Sequence, residues 1–220
     1  MTNFMSNSIF FGAALSLIAY EVGLLLKRKF KMAIFNPLLI SIIAVIAVLC
    51  LLHIDYDTYN QSGQYISYLL TPATVCLAVP LYQQMELLKK NLKAVVIGIV
   101  SGVLASLVSV LILAKLFRLS HEQYVTLLPK SITTAIGMGV SEELGGIVTI
   151  TVAVIIITGV LGNMVAETVI KLAHIEEPIA KGLALGTSSH AIGTAKAMEL
   201  GEIEGAMSSL AIAVAGLLTV

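Results

Sequence analysis

Two short stretches of this chain hold the residues best suited to chemistry. The first carries Lys130, Ser131, Thr133 and Thr134; the second carries Thr187, Ser188, Ser189, His190 and Thr194, with Lys196 just beyond. Thr71, Pro72 and Thr74 form a sparser set upstream. Hydroxyl donors, a lysine and the free N–H groups of an interrupted helix together favour an anion, because the positive end of the helix dipole adds to them. A small organic anion, a carboxylate above all, is the solute they suit. Each hydroxyl alone also has a plainer use, bonding its own backbone or a neighbouring helix. His190 reads as a ligand, a proton carrier or a satisfied core residue, and Lys130 as a ligand or as a side chain reaching an interface. Glu21, Glu143 and Glu199 suit proton coupling, although Glu143 and Glu199 equally suit helix ends at the cytoplasmic face.

Catalysis finds little support. Ser189 and His190 are adjacent, but adjacency is not triad geometry, and no orienting acid can be assigned. The chain has no HExxH, no Walker loop and no CxxC pair, so no enzyme, no metal and no cofactor is expected. Cys50 and Cys76 lie in apolar stretches and read as buried hydrophobes rather than as a disulfide or metal pair.

The elements that must position these residues are membrane helices. Of 220 residues, 58% are hydrophobic and 12% charged, and mean hydropathy is +0.98; a water-facing shell needs about a quarter charged. Lipid must therefore be the solvent, and helices satisfy their own backbone within it. Runs 94–114 and 144–166 hold no charge, 32–52 is as long, and 9–26 is broken only by Glu21. The basic residues Lys27, Arg28, Lys29 and Lys31 follow the first run rather than precede it, which argues for a retained span over a cleaved signal. They place that loop in the cytoplasm and the N-terminus outside. The loop 55–64 is then external, and Lys89, Lys90 and Lys93 return inside, so 65–82 crosses, kinked or split at Pro72 and Pro80. Residues 127–143 and 182–201 are similarly rich in glycine and hydroxyls; either they cross as broken helices or they dip in and return. The final apolar run, 206–220, is short for a span unless it begins nearer Glu204. A net charge of zero with no basic face gives nucleic acid no partner surface.

The sequence also matches itself. At an offset of 56, Ala135-Ile136-Gly137 falls on Ala191-Ile192-Gly193 and Glu143-Leu144-Gly145 on Glu199-Leu200-Gly201, with five residues between the triplets in both copies. Ser131 then meets Thr187, and Thr133 meets Ser189. At 57, Ser101-Gly102-Val103-Leu104 meets Thr158-Gly159-Val160-Leu161. The expected fold is all-α and polytopic, one membrane domain over 1–220 with seven or eight transmembrane segments. An N-terminal two-helix unit (1–64) precedes three repeats at 65–126, 127–181 and 182–220. Internal repeats with discontinuous helices are a transporter construction, and broken backbone at membrane depth belongs beside a cavity.

The motifs PKS-x-TT at Pro129–Thr134, SE-x-x-GG at Ser141–Gly146 and SHAIGTA at Ser189–Ala195, with LTPATVCLAVPLYQQ at Leu70–Gln84, resemble the LrgB/CidB family over nearly the whole chain. The resemblance implies a bacterial cytoplasmic-membrane protein, often accompanied by a small LrgA/CidA-type membrane protein. Family members are described as antiholin-like or holin-like proteins acting on murein hydrolase export and lysis. Others are linked to monocarboxylates such as pyruvate, and a related plant plastid protein to glycolate and glycerate. Ala135 and Val148 stand where the family pattern leads one to expect proline, so the second broken element is expected to be less sharply bent. Two functions follow. A carrier or facilitator of small monocarboxylates needs its polar residues to converge within one protomer. A holin-like pore former or pore regulator needs them on one face between copies of a homo-oligomer. The convergence of broken repeats favours the carrier.

Overall fold

The computed structural model describes residues 10–30, 32 and 35–220, with the backbone alone at Leu70, Thr71 and Thr74. Ile9, where the first span was expected to begin, and Lys31 of the basic cluster lie outside the described residues. Those described form helices and connections, with no strand among them. They divide into two compact units, Met1–Cys76 and Leu77–Val220.

In the first unit, α1 (Phe11–Phe30) packs against α2 (Pro37–Leu52) and α3 (Tyr56–Ser67), and α4 (Leu70–Cys76) ends the unit. Asn36 starts α2: its side-chain oxygen accepts from Leu38 N at 2.9 Å and Leu39 N at 3.3 Å, and Pro37 occupies the first helical turn, where its missing N–H costs nothing. That cap shortens the expected 32–52 span to 16 helical residues, about 24 Å at 1.5 Å per residue. The stretch 55–64, expected as an external loop, is helical from Tyr56 onward, and the helix runs on to Ser67, into the expected crossing 65–82. The helix is held to α1 by Gly12 N donating to Ser62 Oγ at 2.6 Å and by a Ser16–Tyr59 hydroxyl pair at 2.7 Å. Cys50 and Cys76 are exposed, not buried as expected. Both sit on helix faces that this unit leaves uncovered, where apolar residues suit lipid as well as a core.

The second unit opens with α5 (Ala78–Gln83) and α6 (Met85–Lys90). The expected break in 65–82 falls at Leu77, so that Pro72 and Pro80 both lie in first turns, of α4 and α5. Three helices here are long and apolar enough to cross a bilayer: α7 (Leu92–Leu116), α10 (Val148–Leu172) and α12 (Glu202–Thr219). The last begins at Glu202 rather than Ala206, which gives it 18 residues. Ile97, Leu104 and Ile112 on α7, and Ile157 and Leu161 on α10, are exposed large hydrophobics suited to lipid.

Between these helices the chain twice turns back on itself. α8 (His121–Leu127) and α9 (Thr134–Glu143) are separated by the non-helical segment 128–133. Gly137 on the return leg lies against the Pro129 carbonyl, and Thr151 Oγ1 of α10 bonds both Thr126 O (2.9 Å) and Ser141 Oγ (2.7 Å), so the legs run side by side. The bend is complete without a proline at Ala135. α11 (Pro178–Leu200) is likewise two legs, 178–189 and 191–200, reversed at His190, whose φ of 43° and ψ of −136° are not helical. Leu185 and Ala197, from opposite legs, share one apolar cluster with Ala166 of α10, and Gly193 sits against the Leu185 carbonyl. The first hairpin has its base by the N-terminal end of α10, through Thr126, Ile147 and Thr151. The second has its base by the C-terminal end, through Ala166, Ile170 and Leu200. The two therefore enter from opposite ends of α10.

Thr151→Val keeps the shape but leaves Ser141 Oγ and Thr126 O without this buried partner. Unmade buried hydrogen bonds cost about 1–3 kcal/mol, so thermal unfolding in mild detergent should show a clear loss of stability that Thr151→Ser does not.

Candidate functional site

The tip of the first hairpin is built around Lys130. Its ammonium donates to Ser131 Oγ at 2.9 Å and lies 3.4 Å from Ser106 Oγ of α7; Ser106 Oγ donates to Ser131 Oγ at 3.0 Å. No carboxylate pairs with Lys130 among the described residues. Neutral hydroxyls disperse the charge of a half-buried ammonium without cancelling it, which leaves a cation still able to take an anion. Thr133 caps α9 by position and Thr134 opens it; both are half-buried.

The second tip is held by hydrogen bonds to groups the reversal would otherwise strand. His190 Nε2 lies 2.9 Å from Ile155 O, Thr194 Oγ1 donates to His190 O at 3.1 Å and pairs with Ser208 Oγ at 2.7 Å, and Asn163 Nδ2 donates to Ile192 O at 3.1 Å. Such a positive φ on a non-glycine residue costs on the order of 1–3 kcal/mol and persists only where its surroundings hold it. Those surroundings include Gly159 and Gly162 of α10, where a Cβ would collide with the His190 ring and with Ser189 Oγ. Ser189 Oγ meets Ser188 Oγ at 3.1 Å while His190 faces a carbonyl, so the adjacent Ser–His pair has no nucleophile–base bond.

The tips approach one another. A small cavity of about 10 Å³ is lined by Ser131 and Ile132 of the first tip, Thr187 of the second, and Ser106, Ala215 and Thr219 of α7 and α12. It is close to the minimum that holds one water. Ile155 touches both tips: its side chain meets Gly137, and its carbonyl meets His190. The structure thus brings together Lys130, Ser131 and Thr187 around one hydroxyl-lined point, with Ser189 and His190 two and three residues on at the reversal and Thr194 on the return leg. Ser188 is exposed. Pro72 is exposed in the first unit, and the Thr74 side chain is outside the described residues.

The acids are distributed differently from expectation. Glu21 and Glu143 are exposed. Glu143 ends α9 beside the start of α10, whereas Glu199 lies by the other end, so the two cannot share one face as the repeat suggested. Lys196, read as part of the polar pocket, is instead a clamp: its buried ammonium reaches Glu167 of α10 at 2.6 Å and Glu199 at 3.0 Å, tying the return leg to α10. Ser106, Asn163 and Ser208 were not singled out from the sequence. Asn163 carried a signal, as the only amide in an otherwise apolar run.

Long apolar helices with two polar, broken helices folded in between them define a multi-pass helical membrane protein. The comparison with known proteins gives the family. The chain belongs to the LrgB-like family, whose profile matches residues 16–220. It is 40% identical over 212 residues to the antiholin-like protein LrgB of Bacillus mycoides (strain KBAB4), covering 96% of this chain and 92% of the relative. The same identity and coverage hold for the antiholin-like proteins LrgB of Bacillus cereus (strain B4264) and Bacillus anthracis (strain CDC 684 / NRRL 3495). No solved structure matches the chain.

Proposed function

We propose that this chain is a secondary carrier or facilitator of small organic monocarboxylates such as pyruvate or glycolate, residing in the bacterial cytoplasmic membrane. The observation that carries the reading is Lys130: an ammonium whose partners among the described residues are hydroxyls, placed where two oppositely entering hairpins meet. A carboxylate there would give the lysine the opposite charge that its serine partners do not supply and accept from Ser106, Ser131 and Thr187 as well. The return legs begin at the tips, which turns the positive ends of two half-helices toward the same region. We read the hairpins, each followed by a long helix (α10 and α12), as two inverted copies of one unit. Ser131 and Thr187, equivalent at the offset of 56, line the same cavity. A binding point between inverted repeats is the arrangement by which alternating access works. The small cavity then corresponds to an occluded state.

The relatives' name favours a second reading, that of an antiholin-like protein regulating a membrane pore together with an LrgA/CidA-type partner or as a homo-oligomer. The two part in flux. In proteoliposomes holding this chain alone, labelled pyruvate, glycolate and lactate should enter with saturation and compete with one another. Leakage of unrelated solutes without saturation would replace the carrier with the pore reading. Flux appearing only when the partner is added would make the partner part of the transporting unit.

A further inference from the structure

Of the acids among the described residues, one is buried: Glu204, 8% exposed, in the first turn of α12. It forms no hydrogen bond or ion pair with any described residue. No fully enclosed side-chain oxygen or nitrogen lacks a partner, so its carboxylate oxygens are not wholly enclosed; the carboxylate lies against Gly201 at the start of α12, and Glu204 lines the adjoining cavity. That cavity, of about 440 Å³, lies between the end of α10, the base of the second hairpin and the start of α12. Facing Glu204 across it are Glu167, Lys171 and His174 of α10, Glu176 on the connection, and Lys181 of the entering leg. Lys196 and Glu199 stand on the return leg, engaged in the clamp with Glu167, and Glu202 is exposed on α12 itself.

From this geometry we infer that Glu204 is a proton-binding site, reached from the cavity between α10 and the second hairpin, whose proton accompanies the solute. The inference rests on the carrier reading. A proton is favoured over sodium by the donor set. A metal ion needs several converging oxygens, and no group of three or more His, Cys, Asp or Glu is placed to hold one among the described residues; two lysines also face the acid. The carboxylate takes up H⁺ to become the neutral acid and releases it on the other stroke, so a monocarboxylate and a proton cross as a pair without net charge. Position gives the coupling. The Glu204 carbonyl packs on Gly182 of the entering leg, and Ser208, one turn further along α12, bonds Thr194 behind the His190 tip. A change at Glu204 is thus passed directly to the hairpin.

The test uses Glu204→Gln in proteoliposomes with labelled pyruvate. We expect accumulation driven by an inward proton gradient to fall at least tenfold, to the level seen without a gradient, while pyruvate–pyruvate counterflow persists and shows the variant folded. Replacing sodium by choline should change nothing in the wild type. Gradient-driven accumulation retained by Glu204→Gln overturns the inference, and so does accumulation that follows sodium. If the variant shows no counterflow, Glu204→Asp decides: a shifted pH profile of uptake supports the site, an unshifted one overturns it. Failure of the carrier reading would appear differently, as a wild type with no flux. Infrared pH titration of the detergent-solubilised protein then decides alone. A protonated-carboxyl band lost in Glu204→Gln keeps the site, and an unchanged spectrum removes it.

Discussion

Lys130→Ala should abolish saturable monocarboxylate uptake while leaving the protein folded. Among the described residues Lys130 reaches α7 at Ser106 Oγ, 3.4 Å away, and otherwise meets Ser131 Oγ of its own tip at 2.9 Å; the two serines keep their own bond at 3.0 Å without it. Its loss therefore costs the fold little. A bound carboxylate would lose a charge-assisted contact worth about 1.5–3 kcal/mol, a roughly ten- to hundredfold loss in apparent affinity before any effect on turnover. Lys130→Arg retains charge but brings a rigid planar fork to a cavity of about 10 Å³, so partial recovery is expected. Uptake kinetics of the three proteins, alongside their melting curves, check this. Unchanged uptake in Lys130→Ala would remove the anion site from the first tip.

The second large effect is steric. At Gly162 an added Cβ would overlap Ser189 Oγ and lie 2.7 Å from Ser189 Cβ. Gly162→Val should therefore push the second tip away from α10, stretching the bonds that His190 makes to Ile155 and Asn163 makes to Ile192. Overpacking of this kind costs about 1–3 kcal/mol, and flux should vanish because the tip geometry is lost. Gly162→Ala combined with Ser189→Gly removes the overlapping hydroxyl and should recover most of the stability. Recovery of flux as well would show that Ser189 Oγ is packing; stability without flux would assign it to the solute. Melting temperature and uptake, read together over the two singles and the double, give the answer.

The residues that were legible in the sequence are those whose local chemistry is unambiguous. Pro129 followed by hydroxyls predicts the break at 128–133, and the doubled AIG-x5-ELG pattern marks the two return legs, each opening on Ala-Ile-Gly at its tip, whereas the helix start at Asn36-Pro37 was passed over in the expected 32–52 span. A break or return within 182–201 was expected, but its place at His190 was not legible. Residues 178–200 carry proline only at the start, and what fixes the point of reversal is tertiary: the Ile155 carbonyl, Asn163, and the close approach that Gly159, Gly162 and Gly193 permit. Lys196 was placed in the pocket by its neighbours in sequence, whereas Glu167, from another helix, decides its direction. Glu204 escaped notice because an acid just before an apolar run reads as a helix start in water. Its burial is visible only once α11 lies over it. The hydroxyl trio Thr126, Ser141 and Thr151 comes from three separate elements, and no local pattern announces it.

The shortness of the second hairpin's legs bears on how the protein is made. Residues 178–189 and 191–200 are each about 15–18 Å long at 1.5 Å per residue, half of what a bilayer core requires. Their serines, threonines, His190 and Lys196 would be costly against lipid. Neither leg can therefore partition into the membrane as it leaves the ribosome. The hairpin must wait at the surface until α10 and α12 have inserted and can receive it, α12 through the contacts at Gly182 and Gly186. Its docking is then a late step in biogenesis. Bulky substitutions at Gly182 or Gly186 should be felt first as fewer mature molecules in the membrane, with those that do mature behaving much as the parent.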